Sequence, residues 1–234
     1  SSPSEASTAN VVSFRNGLID LSEVDDDFTL KPHSPEWFST NQLPYDYDPA
    51  ANCPAWLGFL DSALEDQDKI DLLQEWFGYL LTTDTSFQKV LLLVGPTRAG
   101  KGTVARCMQH VFGAENVASP TFGSLSGDFG LAPLLDKTVA ILPDAHLSRR
   151  GDSMRVMETI KSISGEDAQD VNRKNMPHVR NVRLGVRFVV VCNELPHFSD
   201  SGSALSARLC ILPFDKSFEG HEDRTLEERI RRES

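Results

Sequence analysis

Residues 89–103 read Lys-Val-Leu-Leu-Leu-Val-Gly-Pro-Thr-Arg-Ala-Gly-Lys-Gly-Thr, an apolar run that breaks into glycines and a lysine. The apolar part is typical of a buried strand. Gly95 and Gly100 allow backbone amides to turn inward around an anion, and Lys101 adds a point charge for the terminal phosphates of a nucleotide. Residues 104–112 favour a helix, whose N-terminal dipole would face the same anion. The stretch therefore predicts a strand, a phosphate-binding loop and a helix in succession.

The loop follows the spacing G-x-x-x-x-G-K with one departure. Gly102 stands where that motif has a magnesium-binding Ser or Thr, so we assign the hydroxyl ligand to Thr103. We expect Lys101 to face solvent when no nucleotide is bound. The alternative is a glycine-rich turn that carries a lysine by chance. The residues predicted to bind the nucleotide are Gly95, Pro96, Thr97, Arg98, Ala99, Gly100, Lys101, Gly102 and Thr103.

Length and composition limit the class of protein. A chain of 234 residues with 40% hydrophobic content can bury one sizeable core with a smaller appended module, which excludes disorder of the whole chain. The four cysteines, Cys53, Cys107, Cys192 and Cys210, show no C-x-x-C spacing, so we interpret them as reduced core residues of a cytoplasmic protein. The apolar runs are far shorter than the ~20 residues of a membrane helix.

Charge is distributed unevenly along the chain. The net charge is -11, and residues 1–90 carry four basic groups against sixteen acids. Residues 171–187 reverse this balance with five Arg or Lys side chains, one histidine and no acid. A basic segment in an acidic protein predicts a contact with a polyanion such as nucleic acid.

The order of patterns predicts the organisation of the chain. Residues 1–10 are expected to be a flexible leader, 11–88 a small accessory domain, 89–220 the nucleotide-binding domain and 221–234 a truncated helix. Strands and helices alternate from Lys89 onward, which favours an α/β fold with a parallel sheet and helices on both faces.

Periodicity predicts the individual elements. Two short strands surround the Asn16-Gly17 turn, and apolar spacing predicts helices within 56–64, 70–81, 122–135 and 154–163. An aromatic stripe in the first two helices could stack bases, but we interpret it as core packing. Further strands are expected at 138–142, 188–192 and 208–214, and a final helix at 225–232.

Two polar side chains follow predicted strands. Asp144 ends the strand at 138–142, and a carboxylate at a strand's carboxyl end can hold magnesium beside bound phosphates. Asn193 ends the strand at 188–192, where its amide can orient a water against the terminal phosphate. The alternative for Asn193 is turn chemistry before Pro196.

Apolar and basic residues alternate over 182–187, which predicts a strand with one apolar and one basic face. The arginines of that strand, Arg183 and Arg187, either contact a polyanion or pair with the many acids of the protein. The pattern leaves both interpretations open.

Taken in order, these residues resemble the superfamily 3 helicases, in the branch of phage and plasmid primase-helicases and the poxvirus primase-helicase. The resemblance covers residues 14–214. Gly95 to Thr103 matches the Walker A loop, Asp144 the Walker B acid and Asn193 the sensor asparagine. The run 161–174 is similar to the motif that builds a DNA-contacting hairpin, and Arg208 falls where such proteins place an arginine finger.

The resemblance implies an AAA+-like P-loop fold with a small, mostly helical N-terminal domain, since residues 14–21 and 76–81 resemble the domain that precedes the ATPase. It also implies ATP and Mg²⁺ as cofactors, with Thr103 and Asp144 on the metal. Ala145 departs from the family, because many related ATPases carry a second acid there that polarises the attacking water. The general base therefore has no assigned residue.

The implied protein is the motor of a replicative DNA helicase, which moves along single-stranded DNA as a homo-hexameric ring. Lys101, Asp144, Asn193 and Arg208 would be catalytic, and Arg173, Lys174 and His178 would contact DNA. We expect a primase module elsewhere in the full-length chain, no membrane association, and the host cytoplasm as the location if a phage encodes it. Two alternatives stay open: a P-loop nucleotide kinase, and a nucleotide-gated scaffold with little turnover.

Overall fold

The computed structural model describes residues 10–22, 28–35, 41–143, 150–195 and 206–233. The chain begins with an antiparallel hairpin of β1 (Val11–Phe14) and β2 (Gly17–Asp20), followed by helices α1 (Pro54–Leu64) and α2 (Gln67–Leu81). The predicted hairpin and both predicted helices are confirmed. The Trp56 ring contacts the rings of Phe59 and Phe77, and all three residues pack in or against the core, which confirms that the aromatic stripe serves core packing.

A parallel sheet of five strands forms the centre of the molecule. The strand bounds are β3 (Val90–Val94), β4 (Val117–Ala118), β5 (Val139–Leu142), β8 (Arg187–Cys192) and β9 (Leu209–Pro213). These strands lie in the order β4-β5-β8-β3-β9. The strand before the phosphate loop, β3, thus lies between the two sheet strands that come last in the chain.

Helices cover both faces of this sheet because successive side chains of a strand point to opposite sides. Leu91 and Leu93 pack in one cluster with α1, α2 and α3 (Lys101–Phe112), while Val90 and Leu92 pack in a second cluster with α5 (Arg150–Ser164). The α/β architecture predicted from the alternation is confirmed. Residues on both sides of the predicted boundary at 88/89 pack in one cluster, and the division into domains stays a prediction.

The remaining elements connect the sheet. Two short elements follow β4: a helix α4 (Phe122–Leu125) and a 3-10 turn (Ala132–Leu134). A second hairpin consists of β6 (Gln169–Arg173) and β7 (Met176–Val182). The last helix is α6 (Leu226–Arg232). No helix within the described ranges is long and apolar enough to cross a membrane. The four cysteines are free thiols, as predicted.

Two predictions about elements are wrong. The helix expected over 122–135 stops at Leu125, because the chain folds back so closely that a Cβ on Gly130 would lie 2.5 Å from the carbonyl oxygens of Ser124 and Leu125. The strand expected over 182–187 is also absent, since β7 ends at Val182 and β8 begins at Arg187. β4 has only two residues, too few for periodicity to show.

Arg187 is not on an exposed basic face, and it forms no ion pair with an acid of the described residues. It is buried, donates to the backbone oxygens of Leu80 (2.8 Å) and Thr82 (2.7 Å), and lies over the Tyr79 ring. Burial lowers the pKa of Arg187 to about 10, and the guanidinium remains charged at neutral pH. This side chain therefore ties the C-terminal end of α2 to the start of β8.

Candidate nucleotide site and hairpin

The phosphate loop leaves β3 at the edge of the sheet where the parallel strands have their carboxyl ends. Gly95 has φ +155°, and a Cβ there would lie 2.1 Å from the carbonyl oxygen of Phe214. Gly100 has φ +97°, and a Cβ there would lie 2.9 Å from the Phe59 ring. Both glycines are therefore required by backbone conformation and by space, as the motif predicts.

Helix α3 begins directly after Gly100, at Lys101. No side chain in the described part of the chain caps its first turn, so the N-terminal dipole points into the loop. Arg98 adopts a left-handed conformation (φ +58°) two residues before Gly100. Alternation of left- and right-handed residues turns successive amides toward one side, which is the geometry of an anion-binding nest.

The Lys101 ammonium is held by protein oxygens. Its Nζ donates to the carbonyl oxygens of Gly95 (2.6 Å) and Pro96 (2.6 Å) and to Oδ1 of Asn193 (3.3 Å). Only 6% of the residue is exposed. The expectation that Lys101 faces solvent is wrong, because the loop carbonyls and Asn193 solvate the charge in place of water.

Asn193 follows β8, the neighbour of β3, and its side chain is exposed. The backbone links the same two strand ends, since the Gly95 amide donates to the Cys192 carbonyl at 3.4 Å. Burial raises the pKa of the Cys192 thiol to about 11, with the nearby Lys101 charge acting in the opposite direction. Residues that lie 92 positions apart thus meet at one end of the site.

Of the two predicted metal ligands, the structure describes only Thr103. Thr103 lies in the first turn of α3, and its hydroxyl accepts from Arg106 Nη2 at 3.5 Å. Pro143 is the last described residue after β5, which adjoins β8, and Asp144 lies outside the described residues. The magnesium roles of Thr103 and Asp144 stay predictions.

A segment after β9, residues 214–222, runs along the phosphate loop and is called the strap. Phe214 N donates to Val94 O (2.7 Å), Ser217 Oγ to Thr97 O (2.9 Å) and Phe218 N to Arg98 O (3.0 Å). The Arg98 guanidinium also pairs with the carboxylate of Glu222. The strap is joined to the accessory helices through Lys216–Glu65 and Lys69–Asp215 ion pairs.

Sequence reasoning missed the strap and the support beneath Gly100. Glu222 lies 124 residues after Arg98, and Phe59 belongs to α1, so no local pattern indicates either contact. The accessory helix α1 and the strap therefore both contact the phosphate loop.

Arg208 precedes β9, so it lies at the amino ends of the parallel strands, whereas the phosphate loop lies at their carboxyl ends. Its Nη1 donates to the carbonyl oxygen of Lys161 and lies 3.4 Å from Ser164 Oγ, at the C-terminal end of α5. A Cβ on Gly165 would lie 2.6 Å from that nitrogen. The residue is half-buried, and its role as an arginine finger stays a prediction; the turn at 201–204 that precedes it lies outside the described residues.

The basic residues of the predicted hairpin do lie on a hairpin. Arg173 pairs with Met176 across a two-residue turn of Lys174 and Asn175, and Lys174 and His178 are exposed. The Arg173 guanidinium is engaged locally, because Nε and Nη2 donate to the Pro177 carbonyl at 2.9 and 2.8 Å. Three predicted DNA contacts are therefore on one element, two of them with exposed side chains.

Comparison with known proteins agrees with this picture. Residues 3–65 match a family described as D5 N terminal like, and residues 93–208 match a family of unknown function, DUF5906. The helicase-named protein 184R of Invertebrate iridescent virus 6 is 24% identical over 94% of this chain and 24% of its own length. An uncharacterized mitochondrial protein, ymf21 of Marchantia polymorpha, is 26% identical over 43% of this chain and 63% of its own length.

Solved structures share the fold. The C-terminal region of NrS-1 superposes with a TM-score of 0.66 and 18% identity, over 80% of this chain and 45% of that one. JCV helicase superposes with a TM-score of 0.55 and 17% identity, over 76% of this chain and 50% of that one. The chain thus spans about a quarter of the length of the viral relative and about half of each solved chain. The N-terminal match and the helicase-named viral relative support the resemblance to superfamily 3 primase-helicases, and the solved structures share the fold.

Proposed function

We propose that this chain is the ATP-hydrolysing motor of a replicative DNA helicase, which moves along single-stranded DNA as a hexameric ring. The observation that carries the proposal is the contact of Lys101 with Asn193 across the ends of β3 and β8. In open α/β sheets this crevice is the usual position of a nucleotide. A lysine and an amide that converge there, beside an uncapped helix N-terminus, fit a bound polyphosphate.

The residues have separate tasks in this proposal. Loop amides and Lys101 hold the phosphates of ATP, and the ammonium exchanges its carbonyl partners for phosphate oxygens. Thr103 and Asp144 would hold Mg²⁺, which would neutralise phosphate charge when bound. Once Lys101 has turned to the phosphates, the Asn193 amide is free to orient the attacking water.

The remaining parts serve DNA and the ring. Lys174 in the turn and His178 in β7 are exposed on the β6–β7 hairpin and contact the DNA backbone, which gives affinity without sequence preference. Arg208 supplies charge to the nucleotide of a neighbouring subunit. A primase module belongs to the full-length protein, which works in the cytoplasm, that of the host cell if a phage encodes it.

The decisive experiment is ATP hydrolysis by the full-length protein with and without single-stranded DNA. We expect DNA to stimulate phosphate release in the absence of any other acceptor, which a nucleotide kinase would not do. Lys101→Ala should abolish hydrolysis. Lys89→Ala is the matched control, because Lys89 lies at the other end of β3 and also donates to a backbone carbonyl, that of Ala207.

Two outcomes would contradict the proposal. Phosphate transfer that needs a nucleotide acceptor would make the protein a kinase. Tight ATP binding with no turnover, with or without DNA, would make it a nucleotide-gated scaffold, the alternative that the missing second acid at Ala145 favours.

A further inference from the structure

The phosphate loop carries two cations, and protein oxygens hold both of them. Lys101 is bound by two loop carbonyls and Asn193, while Arg98, three residues earlier, pairs with Glu222 of the strap. The two environments differ in depth: Lys101 is buried, whereas the side chains of Arg98 and Glu222 are 58% and 35% exposed. An exposed pair of this kind contributes little to stability, so it can be exchanged readily.

Arg98 is held in its position from outside the loop. Its φ of +58° is unfavourable for a residue with a side chain, and the Phe218 amide and the Ser217 hydroxyl fasten the carbonyls of Arg98 and Thr97. The strap thus presents the guanidinium at the tip of a loop whose amides surround an anion site. Such strain, maintained by neighbouring contacts, is typical of functional positions.

The Glu222 carboxylate is positioned to accept a hydrogen bond from the Arg98 guanidinium. Backbone amides of Glu222 and Gly220, followed by the Arg98 guanidinium, hold the pKa of this carboxyl below its usual range. The carboxylate is therefore charged at neutral pH and is oriented by the strap's own backbone. It offers Arg98 a single negative charge, and a nucleotide triphosphate offers several together with bidentate oxygen pairs.

We propose that Arg98 is a second phosphate-binding cation of this loop and that Glu222 holds it away from the site until a nucleoside triphosphate displaces the carboxylate. The inference rests on the proposed function, since it assumes that the loop binds a nucleotide. It adds a specificity: because Arg98 lies at the tip of the loop, its contact favours the triphosphate over the diphosphate. Release of Glu222 would also loosen the strap, which is joined to α1 and α2.

The test measures the Kd of a non-hydrolysable ATP analogue and of ADP for the full-length protein. Arg98→Ala should weaken analogue binding about tenfold and ADP binding less, as expected for loss of one charged hydrogen bond. Glu222→Gln should tighten analogue binding by about three- to tenfold, since the competing charge is removed. In an Arg98→Ala background, Glu222→Gln should leave both Kd values unchanged, because Glu222 then has no guanidinium to hold away from the site.

An ion pair between α3 and α6 gives the control. Arg106 and Glu227 form an ion pair of similar exposure at 2.8 Å, one turn into α3, and Glu227→Gln should leave both Kd values unchanged. Arg98→Lys should retain part of the affinity, which separates loss of charge from loss of folding. Circular dichroism checks each variant.

The outcomes separate this inference from the proposed function. If the wild-type protein binds ATP and Lys101→Ala loses it, but Glu222→Gln leaves both Kd values unchanged, the pair is only a surface ion pair and the inference is wrong. If the wild-type protein binds no nucleotide at all, both the inference and the proposed function are overturned.

Discussion

The phosphate loop at 95–103 and the hairpin at 169–182 are both marked by the sequence, yet they are built in opposite ways. In the loop, two glycines have no room for a Cβ, and the lysine is buried among oxygens. In the hairpin, the turn residues and most of the following strand are exposed, and the register shifts within the short ladder. Contacts from distant parts of the chain shape the loop, whereas the hairpin is shaped mainly by its own two strands.

This difference predicts how far the effects of a substitution should extend in each region. A change in the loop disturbs packing and chemistry together, because Phe59, Phe214 and Asn193 all lie against it. A change at the hairpin turn should alter only what the turn contacts. The following expectations test that contrast.

The largest effect is expected from Arg208→Ala, whose guanidinium contacts the C-terminal end of α5, the helix that leads into the hairpin. Arginine fingers contribute ~10³ to 10⁵ in rate in other phosphoryl-transfer systems, so turnover should fall by that order while ATP binding is kept. Mixing Arg208→Ala with Lys101→Ala subunits, each inactive alone, should partly restore turnover. The measurement is ATPase activity against mixing ratio.

The contacts of Arg208 suggest the result that would contradict this. If its guanidinium serves only to cap α5 through Lys161 and Ser164, its loss should cost about 1 kcal/mol of stability and leave turnover intact. Full, concentration-independent activity of a monomer would also exclude a finger that acts between subunits.

Gly95→Ala should lower the free energy of unfolding by about 3 kcal/mol, because the new Cβ meets the backbone of Phe214 at an unfavourable φ. Gly102→Ala is the control inside α3, where only the mobile end of Arg106 is near, and should change stability by less than ~1 kcal/mol. Urea denaturation measures both. The hairpin counterpart, Asn175→Gly at φ +58°, should be nearly neutral, and equal losses at all three sites would remove the contrast.

Thiol reactivity should distinguish the closed loop from the open hairpin. Burial raises the pKa of Cys192 to about 11, so its thiolate fraction near pH 8 is about 100-fold lower than that of an ordinary thiol. A Met176→Cys thiol, at a hairpin position that is 56% exposed, should therefore react with iodoacetamide at least ~100-fold faster. The Cys192 rate should rise about tenfold per pH unit up to the pKa, and similar rates for the two thiols would show that the underside of the loop is open.

The smallest effect is expected at the hairpin turn. Lys174→Ala should reduce the log–log salt slope of single-stranded DNA binding by ~0.7, the value for one lost phosphate contact, and weaken all sequences alike. Arg173→Ala should change the slope less, because that guanidinium already donates to Pro177. A larger slope change for Arg173 than for Lys174 would mean that DNA draws the arginine away from the hairpin.

The sequence by itself determined the strand, loop and helix around residues 90–112, the first hairpin and the two accessory helices. These features depend on periodicity and on glycine or turn residues that lie within one segment, so local chemistry specifies them. The same reasoning failed over 122–135, where a tight fold-back at Gly130 overrides apolar spacing. It also placed Arg187 on a basic face, although α2 buries it.

Only the tertiary structure decided how the candidate site is assembled. Lys101 meets Asn193 because β3 and β8 are neighbours, Gly100 rests on Phe59 because α1 covers that face of the sheet, and Arg98 meets Glu222 because the strap returns past the loop. Each of these contacts joins residues far apart in the chain. Two physical effects bring them together: helices bury both faces of the sheet, and protein oxygens solvate the cations of the loop. Both effects need residues from several segments, so no single segment of the sequence predicts these contacts.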